Sequence, residues 1–208
     1  MTKIACYIFL PISFMLLACL PLQAQPLSDS LLAAQPVYTS IEQALTNPQQ
    51  VYRLRLKGNL KSDSLPESIF QLENLQELTL KGCRLQLLNT NITKLSHLQY
   101  LNLEHNHLVR LPETLCDLPE LRTLIINRNM ISSLPNAIGK MKKLEVIEAW
   151  DNPLYVLPNE IVLLSETLQV IDLRQIGFRK YEIEQIVALL PKTNILYSNL
   201  CECKNGRD

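Results

Sequence analysis

The sequence predicts an α/β solenoid: a right-handed coil with a parallel β-sheet on its concave face, short helical or irregular segments on its convex face, and a helical cap at each end. Apolar residues, mostly leucine, recur in one frame every 23 or 24 residues over residues 51–178. An asparagine recurs at the ninth position of most copies of that frame. One copy buries too little apolar surface to order its own backbone, so the copies have to stack.

The N-terminus has the layout of an export signal. Lys3 precedes an apolar run that extends to about Leu22, and no further charged residue occurs before Asp29. Small residues end the run, which predicts cleavage after Ala24. Residues 1–24 are therefore assigned to a signal peptide, and the folded part is expected to be extracytoplasmic: secreted, periplasmic or at the cell surface.

Two alternatives for this N-terminus stay open. The apolar run is almost long enough to span a bilayer as an uncleaved anchor. The segment Leu16-Leu17-Ala18-Cys19 resembles a bacterial lipobox, which would make Cys19 the lipidated first residue of an outer-membrane lipoprotein. A membrane is expected as a partner only in these two cases.

A short helical cap is expected before the first copy. Residues 25–38 are expected to form a flexible N-terminal segment. Residues 39–50 follow as the cap, because Ser40 and Gln43 have the spacing of a capping box and Pro48 ends the helical pattern. A cap is needed here because a stack of repeats leaves an apolar surface at each end.

Six copies of the frame, copies 1 to 6, begin at residues 51, 75, 98, 121, 144 and 168. Alternate residues of a short strand in each copy point inward, and successive strands stack about 4.8 Å apart. The ninth residue turns the chain, and an inward asparagine there bonds backbone groups that the turn leaves unpaired. These ninth residues form a predicted ladder: Asn59, Cys83, Asn106, Asn129 and Asn152. The thiol of Cys83 is a weaker hydrogen-bond partner than the asparagine amides.

The C-terminal cap is assigned to residues 179–198. Apolar residues at helical spacing precede Pro191, which ends the helix, and residues 194–197 can add an edge strand to the sheet. Residues 199–208 are expected to be a flexible tail.

The frame resembles the leucine-rich repeat family, in the variant whose second half reads Leu-Pro-x-x-Ile-x-x-Leu, and with the export signal it is similar to exported bacterial members. The resemblance covers residues 51 to about 178. In this family the third, fifth and seventh residues of each copy line a concave surface that usually binds protein. The resemblance therefore implies these ligand-binding residues: Arg53, Arg55, Lys57, Lys81, Tyr100, Asn102, Ile125, Asn127, Val146, Glu148 and Trp150.

Two groups are distinct on this surface. The first is a basic corner at its N-terminal end: Arg53, Arg55, Lys57 and Lys81. The second is a diagonal of exposed side chains across its middle: Tyr100, Ile125 and Trp150. Exposed aromatic side chains beside charged groups are plausible interface anchors. The alternative is that Tyr100 and Trp150 only cover neighbouring side chains.

The resemblance implies an exported, non-enzymatic binding module for a protein or peptide, and charge and motif content argue against several other functions. Twenty Lys and Arg residues balance twenty Asp and Glu residues, which argues against nucleic acid as a partner. No nucleophile elbow, phosphate loop or zinc-protease helix occurs, so no catalytic residue, cofactor or metal is assigned. The first alternative is a lipid-anchored structural or adhesive surface protein. A remote alternative is a hydrolase or metal enzyme that uses His105 and His107.

The cysteines are expected to be unpaired. Cys83 faces the core, whereas Cys116 is expected on the opposite surface about one copy away, too distant for a disulfide. Cys201 and Cys203 lie in the tail and are separated by one residue, which disfavours a bridge between them.

Overall fold

The computed structural model describes residues 26–58, 60 and 62–198 of the chain. Residues 1–24 with Cys19, the ladder position Asn59 and the tail cysteines lie outside the described residues. The described strands form one parallel sheet in chain order. They are β1 (Val37–Tyr38), β2 (Arg53–Lys57), β3 (Glu77–Lys81), β4 (Tyr100–Asn102), β5 (Thr123–Ile125), β6 (Val146–Glu148), β7 (Val170–Leu173) and β8 (Asn194–Tyr197).

The strand register follows the repeat frame. Leu54 pairs with Leu78, Leu78 with Leu101, and Leu101 with Leu124, each one copy further along the chain. These inward residues are fully buried in one continuous core. The leucine spacing therefore sets the register, because a slip of one residue would move the whole apolar row to the solvent side. The predicted solenoid is confirmed.

Short 3₁₀ helices lie between successive strands and return the chain over the other side of the core. Four of them follow a proline, Pro66, Pro112, Pro135 or Pro158, whose extended backbone leads into the helix. The 3₁₀ helices span Pro48–Gln50, Glu67–Gln71, Thr90–Lys94, Glu113–Asp117, Asn136–Lys140 and Asn159–Leu164. Each of the last five buries an inward apolar residue at the equivalent position, with 0% exposure: Ile69, Ile92, Leu115, Ile138 and Ile161.

The ninth-position asparagines bond backbone groups of two consecutive copies. The Asn106 side-chain amide donates to the carbonyls of Leu80 and Leu103, both at 2.8 Å, and its oxygen accepts from the Leu85 backbone N–H at 3.0 Å. Asn129 and Asn152 make the equivalent bonds one and two copies further on. The rungs therefore satisfy buried backbone groups that the turns leave unpaired.

Cys83 forms a weaker rung. Its Sγ donates to the carbonyl of Leu56 at 3.7 Å and to that of Lys81 at 3.8 Å. A thiol is a poor hydrogen-bond donor and acceptor, so copy 2 is held to copy 1 by less polar bonding than the later copies have to each other.

Ordered structure occurs in the segment that the sequence suggests is flexible. Within residues 25–38, α1 (Asp29–Ala33) and β1 are present, and β1 pairs with β2. The backbone N–H of Leu27 donates to Gln76 Oε1 at 2.8 Å, and Gln99 Nε2 donates to the Leu27 carbonyl at 2.9 Å. Gln76 and Gln99 are buried, so their amides need partners, and this segment supplies them.

Two further helices cap the solenoid. In α2 (Ile41–Thr46), Ser40 Oγ accepts from the backbone N–H of Gln43, which is half of the expected capping box. In α3 (Lys180–Leu189), Ile183 and Ile186 are buried against the last copy.

Cys116 corrects one sequence-based expectation, because it is only 2% exposed rather than on the surface. It lies in the 3₁₀ helix Glu113–Asp117, in a row of residues that face the neighbouring helical turns. Gly139 occupies the same row one copy later, where a Cβ atom would lie 2.7 Å from Leu163 Cδ1. In copies 3 and 4 the turns therefore pack too closely to leave these two positions in solvent, whereas the equivalent Val162 of copy 5 is exposed. Cys83 and Cys116 are both free thiols, as expected.

Candidate functional site

The sheet face is the solvent-side surface formed by the third, fifth and seventh residues of each copy. These residues alternate with the inward leucines, so the strands hold them at fixed spacing. The register places the residues of one row side by side, for example Arg53 next to Glu77 and Asn102 next to Ile125. All eleven sequence-assigned residues are among the described residues, but their environments differ.

The N-terminal end of the sheet face is a network of ion pairs. Glu77 accepts from Arg53 Nε at 2.6 Å and contacts the Arg55 guanidinium at 3.3 Å. One copy further on, Lys81 Nζ lies 2.7 Å from Glu104 Oε2. Acidic residues of the next copy therefore pair with three of the four cations of the predicted basic corner.

Arg53 also holds the N-terminal segment. Its guanidinium donates to the carbonyl of Ala33 at 2.9 Å and to that of Gln35 at 3.3 Å. With Glu77 as its third partner, Arg53 has little capacity left for a ligand, and it serves to fix residues 33–35 beside the sheet. Lys57 is exposed and makes no ion pair with a described residue, which leaves it as the unpaired cation of the corner.

The middle of the sheet face is more closed than the sequence suggests. Ile125 is only 8% exposed, which corrects its assignment as an exposed anchor. Asn102 is also buried; its Oδ1 accepts from the Glu104 backbone N–H at 2.9 Å, and its Nδ2 lies 3.4 Å from the Tyr100 hydroxyl. These residues sit between neighbouring strands in the central row, where side chains on both sides cover them.

Tyr100 keeps an accessible side. It lines a cleft of about 280 Å³ between α1 and the beginnings of the strands, together with Leu32 and Thr123. The N-terminal segment therefore forms one wall beside the sheet face.

The C-terminal half of the sheet face presents an aromatic ring and a cation together. The guanidinium carbon of Arg128 lies 4.7 Å from the ring centroid of the half-buried Trp150, which is the geometry of a cation–π contact. Arg128 also lies 3.9 Å from an oxygen of Asp151. The cation–π contact with Arg128 therefore restrains the Trp150 ring, which remains partly accessible.

Polar side chains occupy neighbouring positions in the same copy and in the adjacent copies. Asn127 Nδ2 donates to Glu148 Oε2 at 2.9 Å, while the buried Asn127 Oδ1 has no hydrogen-bond partner among the described residues. Val146 contributes a half-buried aliphatic side chain two rows away from Trp150. Asp172 forms a bidentate pair with Arg174, and this hydrogen bond raises the pKa of the Arg174 guanidinium.

Arg128 was not predicted as a site residue. It occupies the eighth position of copy 4, outside the three rows assigned to the surface, and its backbone is left-handed with φ 54°. The eighth residues of all six copies have positive φ: Gly58, Gly82, His105, Arg128, Asp151 and Gln175. This backbone conformation turns the Arg128 side chain back toward Trp150, and repeated glycine at the position was the available signal.

Metal binding and thiol-based catalysis find little support in the described residues. No group of three or more His, Cys, Asp or Glu side chains there is arranged to hold a metal, and His105 and His107 are exposed. Burial raises the pKa of the Cys83 thiol to about 11. Burial, helped by the carboxylates of Glu113 and Asp117, raises that of Cys116 to about 12, so neither thiol is a poised nucleophile. Among the described helices, none is long and apolar enough to cross a membrane.

Comparisons with known proteins agree with this fold. A leucine-rich repeat family model matches residues 86–131 and 96–154. The chain is similar to a leucine-rich repeat protein of Leptospira interrogans, with 28% identity and a TM-score of 0.63 over 80% of this chain and 49% of that one. The chain thus spans about half the length of that protein. No curated protein sequence matches.

Two further solved structures are similar. One is the leucine-rich repeat ectodomain of the Arabidopsis thaliana membrane receptor kinase GASSHO1/SCHENGEN3 in complex with Casparian Strip Integrity Factor 2, with 25% identity and a TM-score of 0.60 over 79% of this chain and 20% of that one. The other is internalin C2 of Listeria monocytogenes, with 24% identity and a TM-score of 0.60 over 74% and 64%. Such folds suggest protein-binding modules and are generally non-enzymatic. The repeat frame, the sheet register and these matches together show that this chain belongs to the leucine-rich repeat family.

Proposed function

We propose that the chain is an exported binding module that recognises a protein or peptide on its sheet face, taken as the concave side of the solenoid. Trp150 is the central anchor of the proposed site. The observation that carries the proposal is the half-buried Trp150 ring held by Arg128 at 4.7 Å. An immobilised aromatic ring loses little conformational entropy when a ligand packs on it.

The proposed contact zone is the C-terminal half of the sheet face together with the accessible side of Tyr100. Beside Trp150 the chain offers the half-buried Glu148 carboxylate, and Val146 adds an aliphatic side chain two rows away. Asn127 is only 2% exposed and donates to Glu148, so it supports that carboxylate rather than meeting the ligand itself. Aromatic anchors bordered by polar groups are typical of interface hot spots. The basic corner contributes mainly through Lys57, because its arginines are already paired.

The size of this zone favours a short ligand. Five intervals of about 4.8 Å separate the six copies, so the face is roughly 25 Å long. A peptide, a loop or one edge of a domain fits this length. The Arabidopsis ectodomain, whose structure contains a bound factor, supports ligand binding as the role of this fold in a related chain.

A peptide-display experiment tests the proposed site. We would select a random peptide library on the purified protein and measure the affinity of the enriched peptides for wild type and Trp150→Ala. We expect Trp150→Ala to weaken binding at least tenfold, because truncated hot spots cost about 2 kcal/mol or more. Its stability should stay within about 1 kcal/mol of wild type, as for a surface change.

Tyr155→Ala is the matched control, since Tyr155 is 68% exposed but lies outside the sheet-face rows. It should leave the affinity unchanged. Equal losses of affinity in both variants, or a parallel loss of melting temperature and affinity in Trp150→Ala, would remove the proposed site.

The export part of the proposal rests on the N-terminal sequence. Mass spectrometry of the protein from its native host tests it: a mature chain that begins at Gln25 supports a cleaved signal. A diacylated Cys19 as first residue would instead support the lipid-anchored surface protein suggested by the lipobox-like sequence. An intact Met1 would contradict both.

A further inference from the structure

The last strand of the sheet has a free edge. β8 pairs with β7 on one side, where the Asn194 backbone N–H donates to the Gln169 carbonyl at 2.8 Å. No described strand pairs with its other side. Because the backbone groups of alternate residues point to opposite edges of a strand, those of Ile195 and Tyr197 point outward.

This edge lacks the features that usually protect edge strands. Its four residues, Asn194–Tyr197, include no charged residue and no proline, and Tyr197 is 46% exposed. At the same end of the solenoid, α3 exposes Val187. Charges, prolines, bulges or covering segments normally prevent such an edge from pairing with another strand. The opposite edge strand, β1, has only two residues and is preceded by α1.

We propose that the free edge of β8 is a self-association site, at which two copies of the chain pair their β8 strands antiparallel about a two-fold axis. Side chains on one face of a sheet must meet side chains on the same face. The pairing that satisfies this rule and forms the most backbone hydrogen bonds within β8 places Ile195 opposite Tyr197 of the second copy and Leu196 opposite its own equivalent. Four backbone hydrogen bonds then form, because Ile195 and Tyr197 both direct their backbone groups to this edge.

The strand itself argues for a second copy as the occupant. A two-fold contact brings identical residues together, so a charged edge would repel itself, whereas this edge is uncharged. The nearby ions Lys192 and Glu166 already pair with each other at 2.5 Å. The pairing also sets an aromatic residue against a β-branched one, which is a favourable cross-strand combination. Four residues extend only about 13 Å, so the dimer is weak and forms at high protein concentration.

Two variants test the pairing by analytical ultracentrifugation and disulfide trapping. Tyr197→Pro removes an outward N–H and keeps the bonds to β7, so it should abolish the dimer and leave the melting temperature unchanged. In a Cys201→Ser/Cys203→Ser background, Leu196→Cys should form a disulfide-linked dimer on oxidation. The two Cα atoms in such a pair lie about 4.5 Å apart, within disulfide reach.

Asn194→Cys is the matched control, because in this register it faces Ser198 and should not cross-link. A chain that stays monomeric at about 1 mM overturns the proposal, as does a dimer that persists in Tyr197→Pro. Cross-linking of Asn194→Cys as efficient as that of Leu196→Cys would also overturn it. Protection of the Ile195 and Tyr197 amides from hydrogen exchange in a monomer would assign the edge to another part of the chain and contradict self-association.

Discussion

The two halves of the sheet face differ in what their side chains bond to. In copies 1–3, Glu77 pairs with Arg53 and Arg55, and Arg53 also binds the carbonyls of the N-terminal segment. In copies 4–6, the Trp150 ring and its Arg128 partner have no such covering segment among the described residues. One backbone frame therefore supports two uses: the first half anchors the N-terminal segment, and the second half holds a partly accessible aromatic ring beside a cation.

This difference shows that residue type alone does not identify a binding surface in a repeat array. Four cations in neighbouring strands suggest a basic binding corner, but two carboxylates of the adjacent copies, Glu77 and Glu104, pair with three of them. The position of each residue relative to the next copy decides whether it is free to bind a ligand.

The largest expected effect comes from removing a ladder rung. Asn129→Ala should cost about 3 kcal/mol or more, because it leaves the Leu108 N–H and the Leu103 and Ile126 carbonyls buried without that partner. Cys83→Ala, in the first half, should cost about 1 kcal/mol because its thiol bonds weakly. Urea unfolding of both variants measures the difference, and equal losses would show that the two rungs are equivalent.

Breaking the ion-pair network should open the first half selectively. Glu77→Gln removes the carboxylate that pairs with two guanidinium groups and is expected to cost about 2 kcal/mol. Faster hydrogen exchange of residues 27–35 would report release of the N-terminal segment. Glu104→Gln is the control: its partner Lys81 is half exposed, so the cost should stay within about 1 kcal/mol. If both variants exchange alike, Glu77 does not hold the segment.

Alkaline pH should also act on the first half, which contains both buried thiols. Their pKa values in the folded state, about 11 for Cys83 and about 12 for Cys116, lie above the ordinary 9.0. The stability that the neutral thiols contribute is therefore present below about pH 9 and lost as the pH rises toward 11 and 12. Urea unfolding between pH 8 and 10 should show this loss in wild type and a smaller one in Cys83→Ala/Cys116→Ala. Identical pH slopes would contradict it.

The smallest effect concerns the left-handed eighth position. Gln175→Gly should stabilise the chain by about 0.5 kcal/mol, because glycine adopts φ 56° without strain. Arg128→Gly relieves the same strain but removes the contact with Trp150, so its net change should be near zero. Thermal melts of the pair measure this difference, and a larger gain from Arg128→Gly would mean that the contact adds no stability.

The fold was predictable because its signal is repeated and local. Inward leucines such as Leu101 and Leu124 recur at a fixed stride, and each copy confirms the register of the one before it. The N-terminal segment was not predictable, since Leu27 bonds to Gln99, 72 residues away, and no repeat marks that contact. Cys116 was misplaced because the packing between helical turns depends on the neighbouring copies.

The site was predictable only in outline. The repeat frame gives the rows that contain Trp150 and Ile125, but it does not tell which members of a row their neighbours cover. Arg128 was not predicted as a site residue, because its orientation depends on a backbone dihedral angle rather than on strand alternation.

The ladder also determines how the molecule comes apart. The side chains of Asn106, Asn129 and Asn152 each hydrogen-bond the backbone of the preceding copy, so these bonds connect copies 2–5 continuously. In copy 6 the ninth residue is Ile176, which has no side-chain amide to offer. The terminal layer, with β7, α3 and β8, is therefore held mainly by strand pairing and apolar contact. When the chain is pulled from its ends, unfolding should begin in this layer before it reaches copies 2–5.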